Sequence, residues 1–163
     1  MFIYLIRHAD AGDADPTQWA DDRQRPLSED GAKKFRQAAK KLSRLVPSVD
    51  VVLSSSLVRA WQTAKILEED AGWVAPKRFE ALEGGGEEVV IKALKPYMKR
   101  ERIALVGHEP TMSGLVSWLI AGETNRSVVE MKKGSVACVE IDSLQAGTGT
   151  LKWLLTVKVM REL

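Results

Sequence analysis

Short apolar runs, each ending in polar residues, alternate along this chain with stretches of helical periodicity. Residues 2–6, Phe-Ile-Tyr-Leu-Ile, lead straight into Arg7 and His8. A run this short, with no polar alternation, predicts a strand over residues 2–7 that is buried on both faces. Residues 49–53 repeat the pattern and end in Ser54, Ser55 and Ser56, and residues 103–106 do so again before Gly107 and His108. Between the runs, apolar residues recur at helical spacing. Ala32, Phe35, Ala39, Leu42 and Leu45 make one stripe, with Ser28 as its N-cap and Pro47 as its stop. Leu57, Ala60, Trp61, Ala64 and Leu67 make a second. Val90, Ala93, Leu94 and Tyr97 make a third, ended or kinked by Pro96, and Met112, Leu115, Val116 and Leu119 a fourth that closes at Gly122. Residues 77–80 predict a short edge strand. Residues 135–141 and 150–159 predict an antiparallel hairpin around the turn 145–149.

Strand–helix alternation closed by a hairpin predicts an α/β fold, a three-layer α/β/α sandwich around a largely parallel sheet. The length of 163 residues predicts one domain, spanning 1–163. In such sheets ligands bind outside the carboxyl ends of the strands. The chain has two histidines, His8 and His108, and each follows a predicted strand. The expectation is that they meet at one edge.

Composition narrows the functional classes. Hydrophobic residues at 45% and charged residues at 28% predict a globular chain, and a formal charge of +2 gives no warrant for nucleic acid as a partner. The apolar N-terminal run is far shorter than the ~20 residues of a membrane span and lacks the flanks of a signal peptide. The expectation is a cytoplasmic protein with no membrane partner. Cys138 is the single cysteine and sits in an apolar run, which predicts a buried thiol in a reducing compartment. No coiled-coil pattern argues against a monomer.

The predicted sheet edge collects Arg7, His8, Arg59 and His108. Two guanidinium groups, two imidazoles and helix N-termini suit a dianion. Two histidines without a third ligand make a poor zinc site, so neither metal nor cofactor is expected. A neutral imidazole can take a phosphoryl group and pass it to water.

These residues stand in motifs. Residues 5–9, Leu-Ile-Arg-His-Ala, resemble the Arg-His-Gly/Ala signature of the histidine phosphatase superfamily, whose fold is that of the phosphoglycerate mutases. Residues 54–64 resemble its S-x-L-x-R-A-x-Q-T-A stretch, residues 106–110 its Gly-His motif, and residues 25–31 the R-P-L-T/S-x-x-G stretch before the first helix. The short chain and the Arg-His-Ala variant are most similar to the SixA-type phosphohistidine phosphatases. The resemblance implies that His8 is the nucleophile and that Arg7, Arg59 and His108 form the phosphate pocket. Arg25 matches an arginine that reaches substrate; its other reading is a loop salt bridge with Asp21 or Asp22. Glu80 and Glu83 are the candidates for a general acid. The implied substrate is phosphohistidine of a signalling protein, with the basic helix from Lys33 to Arg44 as a possible contact. The alternatives are small phosphomonoesters or nucleotides, or a phosphate-binding module without turnover.

Overall fold

A computed structural model describes residues 1–123 and 125–163. Its six strands form one sheet in the order β3-β2-β4-β1-β5-β6. These are β1 (Phe2–Arg7), β2 (Val51–Ser54), β3 (Pro76–Arg78), β4 (Arg102–Gly107), β5 (Val136–Glu140) and β6 (Thr150–Leu155). Strands β1, β4, β2 and β3 are parallel, and β5 runs antiparallel to both β1 and β6. The C-terminal hairpin is thus part of the main sheet: β5 pairs directly with β1.

Alternating β1 residues serve two cores. Tyr4 and Ile6 face a layer formed by α1 (Glu29–Leu45), α2 (Val58–Ala71) and α5 (Val157–Arg161), where Phe35, Leu42, Ala64, Leu67 and Met160 are buried. Ile3 and Leu5 face α3 (Gly86–Leu94) and α4 (Thr111–Ala121), against Val90, Leu94, Met112 and Leu115. This is the three-layer arrangement expected from the apolar runs. A fully buried aliphatic side chain contributes about 1.5–3 kcal/mol, so a double-sided strand such as β1 anchors both layers at once.

The element ends follow local chemistry. The Ser28 hydroxyl accepts from the Gly31 amide at 3.0 Å and starts α1 as a simple N-cap. Strand β2 begins at Val51, two residues later than the pattern predicts, because the Asp50 carboxylate turns to accept from the Glu101 and Arg102 amides. The predicted strand 77–80 is shorter, and its last residue enters a 3₁₀ turn, Glu80–Glu83. The predicted strand 150–159 ends at Leu155. There the Thr156 side chain caps α5, which seats Met160 against α1. Helix α3 passes at Lys95 into a 3₁₀ turn through Pro96, which has no amide hydrogen to continue the helical ladder.

Gly134 ties the hairpin to the end of β1. Its amide donates to the Arg7 and His8 carbonyls at 3.2 and 2.9 Å. Its φ is +74°, and a Cβ there would lie 2.4 Å from a Val157 methyl. Gly134→Ala is expected to destabilise the protein by about 2–4 kcal/mol, from left-handed strain plus overpacking. Urea denaturation checks this; a loss below about 1 kcal/mol would show that the turn relaxes freely.

Candidate active site

The parallel register opposes Arg7 on β1 to Gly107 on β4. His8 and His108 therefore leave adjacent strands side by side, with ring centroids 5.2 Å apart. The His8 amide donates to the Gly107 carbonyl at 2.9 Å, and the Ser55 amide to the Val106 carbonyl at 3.0 Å, so three strand ends are tied at this edge. Gly107 packs closely here: a Cβ would stand 2.8 Å from the terminal methyl of Met112, which would have to shift to admit it.

His8 is buried, and its Nδ1 lies 2.7 Å from the Ala9 carbonyl oxygen. A carbonyl only accepts, so Nδ1 carries the proton and Nε2 keeps its lone pair. Burial pushes the His8 imidazole down to about 4, against the opposing Ala9 bond, and Arg59, Arg7 and Arg25 push the same way as burial. His108 is pushed down to about 3, first by burial and then by His8 and Arg59. Both rings are neutral at pH 7. His108 Nε2 lies 2.9 Å from the Ser55 hydroxyl, which also accepts from the Leu57 amide at 3.2 Å. Its Nδ1 is buried without a partner.

The arginines converge from different elements. Arg7 at the end of β1 donates to the Met131 carbonyl at 2.8 Å, leaving its Nε buried and unpaired. Arg59, in the first turn of α2, is 9% exposed. It donates to the Asp22 carbonyl at 2.9 Å and pairs with the Asp22 carboxylate at 3.3 Å, and its own Nε is also unpaired. Helices α2 and α4 both begin without a side-chain cap. Helix N-termini, two guanidinium groups and two neutral imidazoles make a centre suited to an oxyanion.

The 59–64 segment has a clear physical role. Arg59, Gln62 and Thr63 share one face of α2, and each grips the β1–α1 connection. Gln62 accepts from the Leu27 amide at 2.8 Å, and Thr63 accepts from the Ala9 amide at 3.0 Å while donating to the Arg59 carbonyl at 2.8 Å. The peptide after His8 is thus joined to the turn that carries Arg59.

Arg25 is engaged locally. Its Nε pairs with Asp22 at 2.8 Å, and its NH1 donates to the Ala11 and Gly12 carbonyls at 3.0 and 2.9 Å. The arrangement matches the loop salt bridge, although Arg25 is close enough to lower the His8 pKa. Glu83 lines a cleft of ≈ 320 Å³ together with Arg59 and His108, whereas Glu80 is exposed and not part of its lining. Glu83 accepts from the Ser56 hydroxyl and pairs with Arg23 at 2.8 Å. Those contacts, the Ser56 hydroxyl first, hold its carboxyl below the usual range, so it stands ionised. Trp61 packs under the Arg78 guanidinium at 4.6 Å, and half-buried Trp19 lines a separate groove with Pro26 and Leu27. Gly84 and Gly86 take positive φ values of 132° and 74°, forming a turn. Ser55, Thr63 and Asp22 are supporting residues that the sequence reading did not assign to the site. The only signal for them was their place inside or beside a motif.

Comparison with known proteins identifies the family. A family model of the histidine phosphatase superfamily (branch 1) matches residues 3–84. The chain belongs to that superfamily, and it is a phosphatase. It is 29% identical over 164 residues to the phosphohistidine phosphatase SixA of Escherichia coli K12, covering 96% of this chain and 94% of that protein. The structure of the protein histidine phosphatase SixA with tungstate superposes with a TM-score of 0.81 at 26% identity, over 97% of this chain and 98% of that one. The α-ribazole phosphatase of Shigella flexneri shares the fold, with a TM-score of 0.73 at 19% identity over 96% and 97% of the two chains.

The two imidazoles should titrate far below the ordinary 6.5. Between the folded and unfolded values the unfolded chain holds more protons, so stability should fall as pH drops below 6.5. Nitrogen-15 NMR of the rings checks the premise: a His8 midpoint below 5 is expected, and one at 6 or above would contradict a buried neutral imidazole.

Proposed function

We propose that this phosphatase removes phosphate from phosphohistidine of a signalling protein, by way of a phosphoryl group carried on His8. The observation that carries the covalent step is the His8 tautomer: Nδ1–H is held by the Ala9 carbonyl, so the Nε2 lone pair is free. In the first step the Nε2–P bond forms as the P–N bond to the substrate imidazole breaks, and the released ring nitrogen takes a proton from solvent. In the second, water attacks the phosphorus, the Nε2–P bond breaks, and orthophosphate leaves. Arg7, Arg59 and His108 stabilise the equatorial oxygens through both steps. The two arginines supply the charge that a divalent ion supplies elsewhere, and the neutral His108 adds a polar contact, which supports metal-independent turnover.

Two observations favour a phosphoramidate over a phosphoester. A ring nitrogen protonates far more readily than an alkoxide leaves, and Glu83, which lines the cleft with Glu87 and Glu109, is held ionised by Ser56 and Arg23 rather than poised as an acid. Similarity over nearly the whole chain to a phosphohistidine phosphatase points the same way. The basic face of α1 is a weaker contact than its composition suggested. Lys34 pairs with Asp30, Arg36 with Glu69 and Asp70, and Lys40 with Asp70. A small phosphomonoester is the second reading, favoured by the shared fold of an α-ribazole phosphatase and by the nearness of Glu83 to His108.

His8→Ala is expected to abolish turnover while leaving oxyanion binding largely intact. Arg59→Ala is expected to weaken both by about 1.5–3 kcal/mol, the worth of a charge-assisted contact. Turnover and phosphate-binding titrations check the pair; near-normal rates for His8→Ala would exclude a covalent step there. The substrate is tested by kcat/KM on phosphohistidine domains, sugar phosphates and nucleotides, all in EDTA. The phosphohistidine domain should lead by at least ~10-fold, about 1.4 kcal/mol. Equal or higher values for a small phosphoester would establish the second reading, and loss of all activity in EDTA would overturn metal independence.

A further inference from the structure

Asp22 bridges two arginines at the phosphoryl site. Its Oδ1 lies 2.8 Å from Arg25 Nε and its Oδ2 3.3 Å from Arg59 NH2, while its backbone carbonyl takes a bond from Arg59 NH1 at 2.9 Å. Arg59 is 9% exposed, and its Nε has no partner. The carboxylate that meets it is half exposed and belongs to a short 3₁₀ turn, Asp22–Gln24, in the connection from β1 to α1. That turn hangs on polar contacts and contains no buried residue. A carboxylate held between two guanidinium groups has the charge pattern of a bound phosphoryl oxyanion.

We propose that Asp22 is an internal counter-ion that occupies Arg59 in the resting enzyme and is displaced when a phosphoryl group arrives. This rests on the reading of the centre as a phosphoryl pocket, whichever phosphorylated substrate it serves. Without Asp22, Arg59 would be a buried cation with its charge uncompensated, which is costly. With Asp22, the resting site is neutralised and Arg59 stays in place. A dianion then competes with the aspartate for the same guanidinium, so bound orthophosphate is held less tightly than three nearby arginines would otherwise hold it. Asp22 thereby limits product inhibition: as phosphate leaves, the carboxylate returns to Arg59. The retained backbone bond from Arg59 to the Asp22 carbonyl keeps the loop in register while the side chain swings away.

The test is equilibrium binding of inorganic phosphate to the whole protein and to Asp22→Asn, which keeps size and the backbone acceptor but removes the charge. Asp22→Asn is expected to bind phosphate about five- to tenfold more tightly, with the phosphate inhibition constant for turnover falling in step. A purely structural role would do the reverse, because a misplaced Arg59 binds anions less well. Unchanged or weaker phosphate binding in Asp22→Asn therefore overturns the proposal. A second measurement uses the wild-type protein alone. Phosphate saturation should shift the backbone amide resonances of Asp22, Arg23, Gln24 and Arg25, and the absence of any shift would also overturn it. Failure of both proteins to bind phosphate would overturn the phosphoryl-pocket reading and this proposal together. The substrate panel tests the phosphohistidine reading separately, since an alternative phosphoester substrate leaves the Asp22 result standing.

Discussion

The parallel pairing of β1 with β4, in the register that sets Arg7 opposite Gly107, is the constraint on which the site depends. It brings together two histidines separated by a hundred residues of chain. Because side chains alternate along a strand, a slip of one residue would turn Ile3 and Leu5 toward the wrong helical layer. The register of the catalytic centre is therefore fixed by apolar packing on both faces of the sheet. Gly107 and Gly134 complete the fit where a side chain would press on its neighbours, the first against the end of Met112 and the second against Val157.

The polar framework is built on this apolar one. His8 and His108 are neutral because they are buried beside cations, and the Ala9 carbonyl then decides which nitrogen of His8 is free. Helix α2 connects the strand end that carries His8 to the turn of Arg59 through Thr63, and that turn to the loop through Arg59 and Gln62. One helical face thus sets the relative positions of a strand end, a loop and a helix N-terminus. These are the groups that must be placed in advance when catalysis works chiefly by positioning and electrostatics.

Much of this was legible in the chain. The apolar runs gave the three central strands and their parallel order. The four helical stripes gave α1 to α4, and the ordered motifs gave the family. The misplaced ends were at residues 49–50, 77–80 and 156–159, where the Asp50 contacts, a 3₁₀ turn and a cap at Thr156 bounded strands that β-rich composition had extended. The hairpin reading was right in pairing and incomplete in placement, since periodicity does not say which edge of a sheet receives an antiparallel strand. Ser55 and Asp22 were not assigned to the site because a serine or an aspartate in a polar loop has no pattern that distinguishes support from solvation.

What the sequence by itself determined was most of the apolar core, where the backbone changes direction, and which chemical groups the chain has available; Leu45, at the end of the α1 stripe, is exposed. Those properties reside in side-chain polarity and local spacing, and they survive without knowledge of long-range contacts. The tertiary structure alone decided the protonation and pairing of those groups. The neutrality of the buried His8 ring, the ionised state of Glu83 and the occupation of Arg59 by Asp22 each depend on a partner remote in sequence or on burial by several elements together. Electrostatic state is set by the surroundings in three dimensions, where desolvation and neighbouring charge act together.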